Sequence, residues 1–364
     1  MAGRPLVFRA VAGAVRSGAS RVLVPSIFRA LLEPALLAAP RVARAVVWLD
    51  TTTTTPGTAV LVPVAAVLGV RAIAAMLGAR PPAVHARTRE AGAPVVAAHA
   101  ALVTSLWPAL VAGAPVALAL EKALADPSVI AVHEPSLVHP VGDAASAAVG
   151  ERQLYTTLGS AIDTRLDVAF HRRFSRLVSR LAVGLGITPN AITLASLLVG
   201  LLAAWTFWGA TPLGAVAGLV LYAIAVILDH ADGEVARLTL TESAFGEWLD
   251  IVADTMIHAT VVLALGATSA ALTGRGTALG ALAAIGMIAS AAVAKAWPGV
   301  ALPDRVGRLF AQLGSRDGFY AMLLGFLVAR AVWPAALPAL MIVVAAGAHA
   351  YWVGRVLYRL TRGV

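Results

Sequence analysis

From about Ala191 onward, apolar runs of roughly 18 or more residues recur, separated by short charged loops. Each run is long enough to cross a bilayer as a helix, since about 20 residues at 1.5 Å rise cover a ~30 Å hydrocarbon core. There are six such runs: 191–209, 213–231, 249–270, 277–297, 317–334 and 337–357. A single water-soluble core cannot hide that much apolar surface. Composition agrees, with 59% apolar and only 13% charged residues, against about 25% charged in a soluble domain. An ordinary soluble enzyme is excluded, and so is an intrinsically disordered chain, which needs low hydrophobicity.

The scarce charge orients the runs. Arg165, Arg172, Arg173, Arg176 and Arg180 precede the first, and Arg237 lies between the second and third. Arg305, Arg308 and Arg316 lie between the fourth and fifth, and Arg355, Arg359 and Arg362 follow the sixth. The opposite loops hold Arg275 and Arg330. The positive-inside rule then places both termini and the 232–248 loop in the cytoplasm, in a protein of the cytoplasmic membrane. Trp205, Trp208, Trp297, Trp333 and Trp352 fall near span ends, where interfacial aromatics belong. The net charge of +9 rests on arginine, Lys122 and Lys295 being the lysines. In so apolar a chain it points to a membrane surface and not to nucleic acid. Cysteine is absent, which excludes disulfides, thiolate metal sites and a cysteine nucleophile. The first residues lack a continuous apolar core and a cleavage site, so no removable signal peptide is expected.

The expected fold is mixed: an N-terminal Rossmann-like α/β domain with a mostly parallel sheet over 1–150, then a linker and amphipathic interfacial helix over 151–186, then an all-α six-helix transmembrane bundle over 187–360. Short β-prone runs at 43–50, 58–64, 94–99 and 128–134 alternate with Ala/Leu-rich helical stretches. The apolar stretch 58–78 contains Pro63, Gly69 and Arg71, which favours a buried strand followed by a helix over a span. Thr51–Thr55 reads as a loop. In 163–182, Phe170, Phe174, Leu177 and Leu181 share one helical face, and Arg165, Arg172, Arg176 and Arg180 share the other. That pattern suits a helix lying in the interface with its arginines toward lipid phosphates or an anionic substrate; a solvated face on a packed helix is the plainer alternative.

The segment Ile227–Ala259 carries the chemistry. Asp229, Asp232, Gly233 and Ala236 stand at i, i+3, i+4 and i+7, and Gly246, Asp250 and Asp254 at i, i+4 and i+8, so each set shares a helix face. Two antiparallel helices joined by a short loop can turn these faces together. Four carboxylates meeting there need counter-charge. Hard divalent cations, Mg²⁺ or Mn²⁺, suit an all-oxygen site, and two metals ~3.5–4 Å apart clamp both oxygens of a phosphoryl displacement. Gly233, Ala236 and Gly246 leave room for a bulky ligand, and Arg237 can neutralise phosphate. Thr188 with Pro189 reads as a helix start. The eight histidines show no metal spacing, and His230 reads as a spectator inside the aspartate segment. Gly276 and Gly280 suit a close helix–helix contact, within the bundle or between copies.

D-x2-D-G-x2-A-R-x8-G-x3-D-x3-D, matched here at Asp229, Asp232, Gly233, Ala236, Arg237, Gly246, Asp250 and Asp254, is the signature of the CDP-alcohol phosphotransferases, which residues 160–360 therefore resemble. At about 5–8% usage per residue type, a chance match is between about 10⁻¹¹ and 10⁻⁹ per start position. The resemblance implies a membrane transferase that moves the phosphoryl-alcohol part of a CDP-alcohol donor, of CDP-diacylglycerol or CDP-inositol type, to an acceptor hydroxyl and releases CMP. It implies that Asp229, Asp232 and Asp250 bind metal, and that Asp254 is the base while also touching metal. It implies that Gly233, Ala236, Arg237 and Gly246 hold the CDP, joined by Asn190 and Thr193 from a TPN-x2-T stretch. Arg316 is an acceptor candidate alongside Arg172 and Arg176, with a membrane-end ion pair to Asp317 as the plainer reading. A homodimer is the family expectation.

A preceding soluble domain is similar to the cytidylyltransferase-like domain of archaeal and bacterial fusions that make inositol-phosphate diesters. Active members carry a Gly-rich loop near G-x-G-x-R-x-x-P. PGTAVLVP at 56–63 keeps a Gly, a Thr and a Pro but no basic residue, so phosphate cradling would be poor and the domain reads as degenerate. Asp50 and Asp143 read as turn or cap residues over remnant metal ligands. Two other functions remain open on sequence: a divalent-cation transporter or channel, and an inactive membrane scaffold. A pore places carboxylates deep in several spans, whereas these cluster at one face.

Overall fold

The computed structural model describes residues 1–50, 53, 57–159, 164–297, 307 and 314–362. The Thr51–Thr55 run apart from Thr53, together with Pro56, Arg305 and Arg308, lies outside the described residues. Contacts divide the chain into two compact units, Met1–Leu158 with Leu238–Thr241, and Gly159–Arg237 with Glu242–Val364.

The first unit mixes short strands and helices. Its strands are β1 (Val22–Pro25), β2 (Val46–Leu49), β3 (Ala59–Leu61), β4 (Ala66–Leu68), β5 (Ala83–His85), β6 (Val96–Ala98), β7 (Ile130–Val132) and β8 (Val138–Pro140). Its helices are α1 (Leu6–Arg16), α2 (Arg29–Leu37), α3 (Pro40–Ala45), α4 (Val70–Leu77), α5 (Ala86–Glu90), α6 (Ala100–Ala112), α7 (Ala117–Leu124) and α8 (Ala144–Thr156). The α/β character expected from sequence is present, and strand followed by helix holds for 58–78. The mostly parallel sheet does not appear among the described residues. The four-stranded sheet runs β3-β6-β5-β7, in which β6 is antiparallel to both β3 and β5, and only β5 with β7 is parallel. β4 pairs antiparallel with β8, and β1 parallel with β2. The link 86–95 explains the reversal at β5-β6: a parallel return needs a crossover of about a dozen residues or more, and this link spends itself on α5 and a turn at Gly92, where φ is 72°.

Asp50 and Asp143 have local partners. Asp50 Oδ1 accepts from Thr53 Oγ1 at 2.9 Å. Asp143 caps α8, accepting from Ser146 N at 2.8 Å and from Ser146 Oγ at 2.7 Å, and these bonds hold its carboxyl below its usual range. A cavity of about 1500 Å³ lies in this unit, with Val60, Leu61 and Leu110 in its lining beside Arg21, Arg89 and Glu121.

The second unit is helical: α9 (Arg172–Leu185), α10 (Pro189–Trp208), α11 (Pro212–Thr239), α12 (Ala244–Thr273), α13 (Thr277–Ala296), α14 (Arg316–Val332) and α15 (Leu337–Arg362). Five of its helical segments, four of them α10 to α13 and the fifth Pro334–Thr361, are long and apolar enough to cross a membrane. The expected fifth span is α14, which has 17 residues and so reaches only about 25 Å. Tyr222, Leu265, Leu323, Phe326, Leu337 and Met341 lie in a shared core. Outward, Trp205, Trp208 and Trp333 are exposed, as lipid-facing aromatics are.

Local signals set the helix ends. Thr188 caps α10 with Pro189 behind it, Ser243 caps α12, and Ser315 caps α14. The turn from α11 to α12 is tight, and Leu240 takes a left-handed φ of 58° within it, a conformation that costs a non-glycine residue roughly 1 kcal/mol. Gly276 and Gly280 pack within the bundle. A Cβ on Gly266 would meet Gly280 Cα at 2.6 Å, so α12 and α13 approach backbone to backbone. Gly280→Val forces them apart, with an expected loss of about 1–3 kcal/mol that a detergent melt would show as a lowered Tm; an unchanged melt would mean the helices do not touch there.

Candidate active site

The aspartates come together as the helix periodicity demands. Carboxylate oxygens of Asp229 and Asp232 on α11 and Asp250 on α12 lie within 4.8 Å of one another, an arrangement able to hold a metal ion. Asp232 is buried, and Asp229 and Asp250 are half-buried. Three such carboxylates repel strongly unless cations sit among them, and oxygen-only donors suit Mg²⁺ or Mn²⁺. Asp254 lies one turn beyond Asp250. Its side chain is 47% exposed, so a substrate hydroxyl can reach it.

The remaining motif residues surround this cluster. Thr193 Oγ1 donates to Asp232 Oδ2, tying α10 to the site. The same hydroxyl lies 3.2 Å from Pro189 O of its own helix. Gly246 is in the first turn of α12, where a Cβ would meet Asn190 Oδ1 at 3.3 Å and the capping Ser243 Oγ at 3.2 Å. Asn190, Thr193 and Gly246 therefore flank one edge of the carboxylates. A Cβ on Gly233 would meet the Arg237 guanidinium at 3.3 Å, so any larger residue there would push the arginine aside. Ala236 is half-buried on the same face of α11.

The three arginines expected to meet an acceptor differ in their surroundings. Arg172 is buried and donates to Glu234 Oε1 at 2.9 Å. Arg176 is half-buried. Arg316 pairs with Asp229 Oδ2, not with its neighbour Asp317 as the plainer reading had it, and its Nη1 lies 3.7 Å from Asp167 Oδ2. The reason is geometric. The first turn of α14 points Arg316 inward at a cluster of negative charge, which attracts it more than one adjacent carboxylate does.

Three partners of the site were not apparent from the motif. The first is Glu234, at a variable position of the signature and fully buried. Its carboxylate accepts from Arg172, from Ser175 Oγ at 2.7 Å and from Ser179 Oγ at 2.7 Å. These bonds dock α9 on α11 and leave Phe174, Leu177, Leu181 and Leu185 exposed. The apolar stripe read from sequence is thus present, but Arg172 faces the bundle and not the surrounding lipid or water. Glu234→Ala strands a buried guanidinium, and a loss of about 3–5 kcal/mol is expected, measurable as a lowered detergent melt. A melt within a degree of the parent would show the pair to be dispensable.

The second is His258, one turn after Asp254. Its Nδ1 donates to Asp254 O at 2.8 Å and is 3.3 Å from Asp254 Oδ1, so its Nε2 accepts from Tyr222 OH at 2.9 Å. Phe319 packs edge-on against the ring at 4.4 Å between centroids. The i, i+4 spacing of Asp254 and His258 was the signal for this contact.

The third is a cluster about Asp167, in which His230, read from sequence as a spectator, is bonded to Asp167 Oδ1 at 2.7 Å. Asp167, His171 and His230 offer ligand atoms within 4.8 Å of one another and are all buried. His171 stands at i+4 from Asp167, but His230 joins only through the tertiary fold.

Residues 186–354 match the family model described as CDP-alcohol phosphatidyltransferase. An archaetidylinositol phosphate synthase of Pyrococcus horikoshii is 36% identical over 88 residues, 24% of this chain and 45% of its own length. A bifunctional IPC transferase and DIPP synthase of Thermococcus kodakarensis is 38% identical over 84 residues, 23% of this chain and 18% of its own. A CDP-diacylglycerol–serine O-phosphatidyltransferase of Mycobacterium leprae is 42% identical over 80 residues, 22% of this chain and 26% of its own. Each of these three relatives is matched over less than half its length. Among solved structures, a phosphatidylinositol phosphate synthase from Mycobacterium tuberculosis in complex with manganese and citrate aligns with a TM-score of 0.38 and 20% identity, over 51% of this chain and 89% of its own.

Proposed function

We propose, for a chain whose residues 186–354 are a CDP-alcohol phosphatidyltransferase domain of an integral membrane protein, a metal-dependent transfer of a phosphoryl-alcohol group from a CDP-alcohol to an acceptor hydroxyl, with release of CMP, in phospholipid or polar-headgroup synthesis. The observation that carries the reading is the convergence of Asp229, Asp232 and Asp250 oxygens within 4.8 Å, one turn from an accessible Asp254. Asp229, Asp232 and Asp250 would hold two Mg²⁺ or Mn²⁺ ions, which supply Lewis-acid stabilisation of the pyrophosphate when bound. Asp254 would take the acceptor proton and would also reach a bound metal, and His258 orients it. Gly233, Ala236, Arg237, Gly246, Asn190 and Thr193 receive the CDP, the small residues giving backbone access and Arg237 the phosphate charge. Arg176 and Arg316 are assigned to the acceptor's anionic group. Arg172, engaged by Glu234, serves the acceptor indirectly by fixing α9.

Similarity to a CDP-diacylglycerol–serine O-phosphatidyltransferase favours a CDP-diacylglycerol-like donor, with a CDP-inositol type as the alternative. The arginine asymmetry supports a site and termini on the cytoplasmic side of the cytoplasmic membrane, and a homodimer is inferred from the family alone. The N-terminal unit is assigned a structural role as a degenerate nucleotidyltransferase-like domain, because 57–63 offers no basic residue to a phosphate. One experiment tests the assignment: the full chain in detergent, offered CDP-diacylglycerol or CDP-inositol with polar acceptors, is assayed for CMP with Mg²⁺ and again after chelation. Metal-dependent CMP release is expected. A chain that releases none from any pair, yet carries divalent cations across vesicles, would be a transporter instead.

A further inference from the structure

The Asp167 cluster sits beside the carboxylate site. Asp167 Oδ1 accepts from His230 Nε2 at 2.7 Å and from His171 Nδ1 at 3.0 Å, and Oδ2 accepts from Thr164 N at 2.9 Å. His171 Nε2 in turn accepts from Tyr320 OH at 3.0 Å. Donors about 2.0–2.1 Å from a tetrahedral metal stand roughly 3.3 Å apart, so the 2.7 Å contact is that of a hydrogen bond. Burial works against charge on Asp167, yet the bonds from His171, His230 and Thr164 hold its carboxyl well below the usual carboxylate range. It is a fixed anion joined to α11 by His230, to α14 through His171 and Tyr320, and to α9 by the adjoining turn.

What this anion faces is Arg316. The guanidinium is bonded to Asp229 Oδ2 while its Nη1 stops 3.7 Å from Asp167 Oδ2, too far for a hydrogen bond but within one small side-chain movement. Oδ2 of Asp167 takes one backbone donor, and a carboxylate oxygen can accept two. A divalent cation and a guanidinium compete for Asp229 Oδ2, since both neutralise the same oxygen. Where the metal takes Oδ2 of Asp229, Arg316 shifts, and removing a part-buried guanidinium from its carboxylate is costly unless a second acceptor stands nearby.

We infer that Asp167 is a positioning residue that offers Arg316 a second carboxylate, so that Arg316 can pass from Asp229 to Asp167 and leave Asp229 free to ligate metal. This rests on the metal-site reading of the aspartates. The transfer keeps Arg316 beside the site, where it meets an anionic acceptor, and couples metal binding to the arginine's placement. His171, His230 and Thr164 act by holding Asp167 in place.

Equilibrium dialysis of Mn²⁺ against the full chain, with Asp167→Asn, Arg316→Gln and the double variant, tests it. Asp167→Asn should weaken Mn²⁺ binding about tenfold when Arg316 is present, and less than about twofold in the Arg316→Gln background. CMP release by Asp167→Asn should recover at high Mn²⁺ with kcat near that of the parent, which a merely structural lesion would not do. A detergent melt identifies a misfolded single variant, and the comparison is then made with Asp167→Glu, which restores the acceptor and should restore binding. Unchanged binding in Asp167→Asn, or equal loss in both backgrounds, overturns the inference while leaving the metal site standing. A parent chain that binds no Mn²⁺ overturns the metal-site reading and this inference with it.

Discussion

Asp254→Asn is expected to lower kcat for CMP release by about 10²–10⁴, the usual contribution of a positioned general base, with little change in donor KM. The expectation follows from three features. Asp254 is the carboxylate of the motif whose side chain is 47% exposed, so it is open to an incoming hydroxyl. His258 donates to the Asp254 backbone carbonyl at 2.8 Å, a bond the substitution leaves intact, so the helix and the imidazole stay in place. Asparagine matches the aspartate in size but takes no proton at neutral pH. Steady-state kinetics on purified variant and parent decide the matter. Turnover within threefold of the parent would remove Asp254 from the base role, whatever the metals do.

The second large effect concerns Asp250. Replacing it with alanine takes from the cluster the oxygen that α12 contributes opposite Asp229 and Asp232. Metal-dependent CMP release should fall by more than about 10³, since metal ions stabilise the displacement by several kcal/mol. Stability should move the other way. Carboxylates held within 4.8 Å of one another repel in metal-free buffer, and catalytic clusters of this kind are commonly held at a cost to the fold. Asp250→Ala should therefore melt at or above the parent temperature after chelation, while losing the upward shift that Mg²⁺ gives the parent. A variant that melts lower without metal and still gains from Mg²⁺ would show that Asp250 serves packing and not metal.

The sequence was most legible where local rules suffice. Hydropathy gave the first and fourth runs within a few residues, 191–209 against Pro189–Trp208 and 277–297 against Thr277–Ala296, whereas α11 continues to Thr239 and the fifth expected run falls short of a span. The motif spacing put Asp229 and Asp232 on one face of α11 and Asp250 and Asp254 on one face of α12, and the tight turn at Leu240 joined them. Elements that depend on distant partners were less legible. A buried parallel sheet and the observed strand order share the same short apolar runs, because strands of three residues carry almost no pairing information. Glu234 sits at a position the signature leaves free, and only the packing of α9 shows that Arg172, Ser175 and Ser179 meet it. His171 and Tyr320 are 149 positions apart, so no spacing rule joins them. Arg316 looked like half of an ion pair with its neighbour until the fold turned it toward Asp229.

The reading of the whole protein turns on a two-metal site formed by the aspartates of α11 and α12. Mn²⁺ titration of the full chain, followed by electron paramagnetic resonance, tests it most directly. Two Mn²⁺ per chain are expected, with the broadened spectrum of ions about 3.5–4 Å apart, and that coupling should be lost in Asp250→Ala. A single isolated six-line Mn²⁺ signal, or two ions whose binding survives Asp250→Ala, would contradict it.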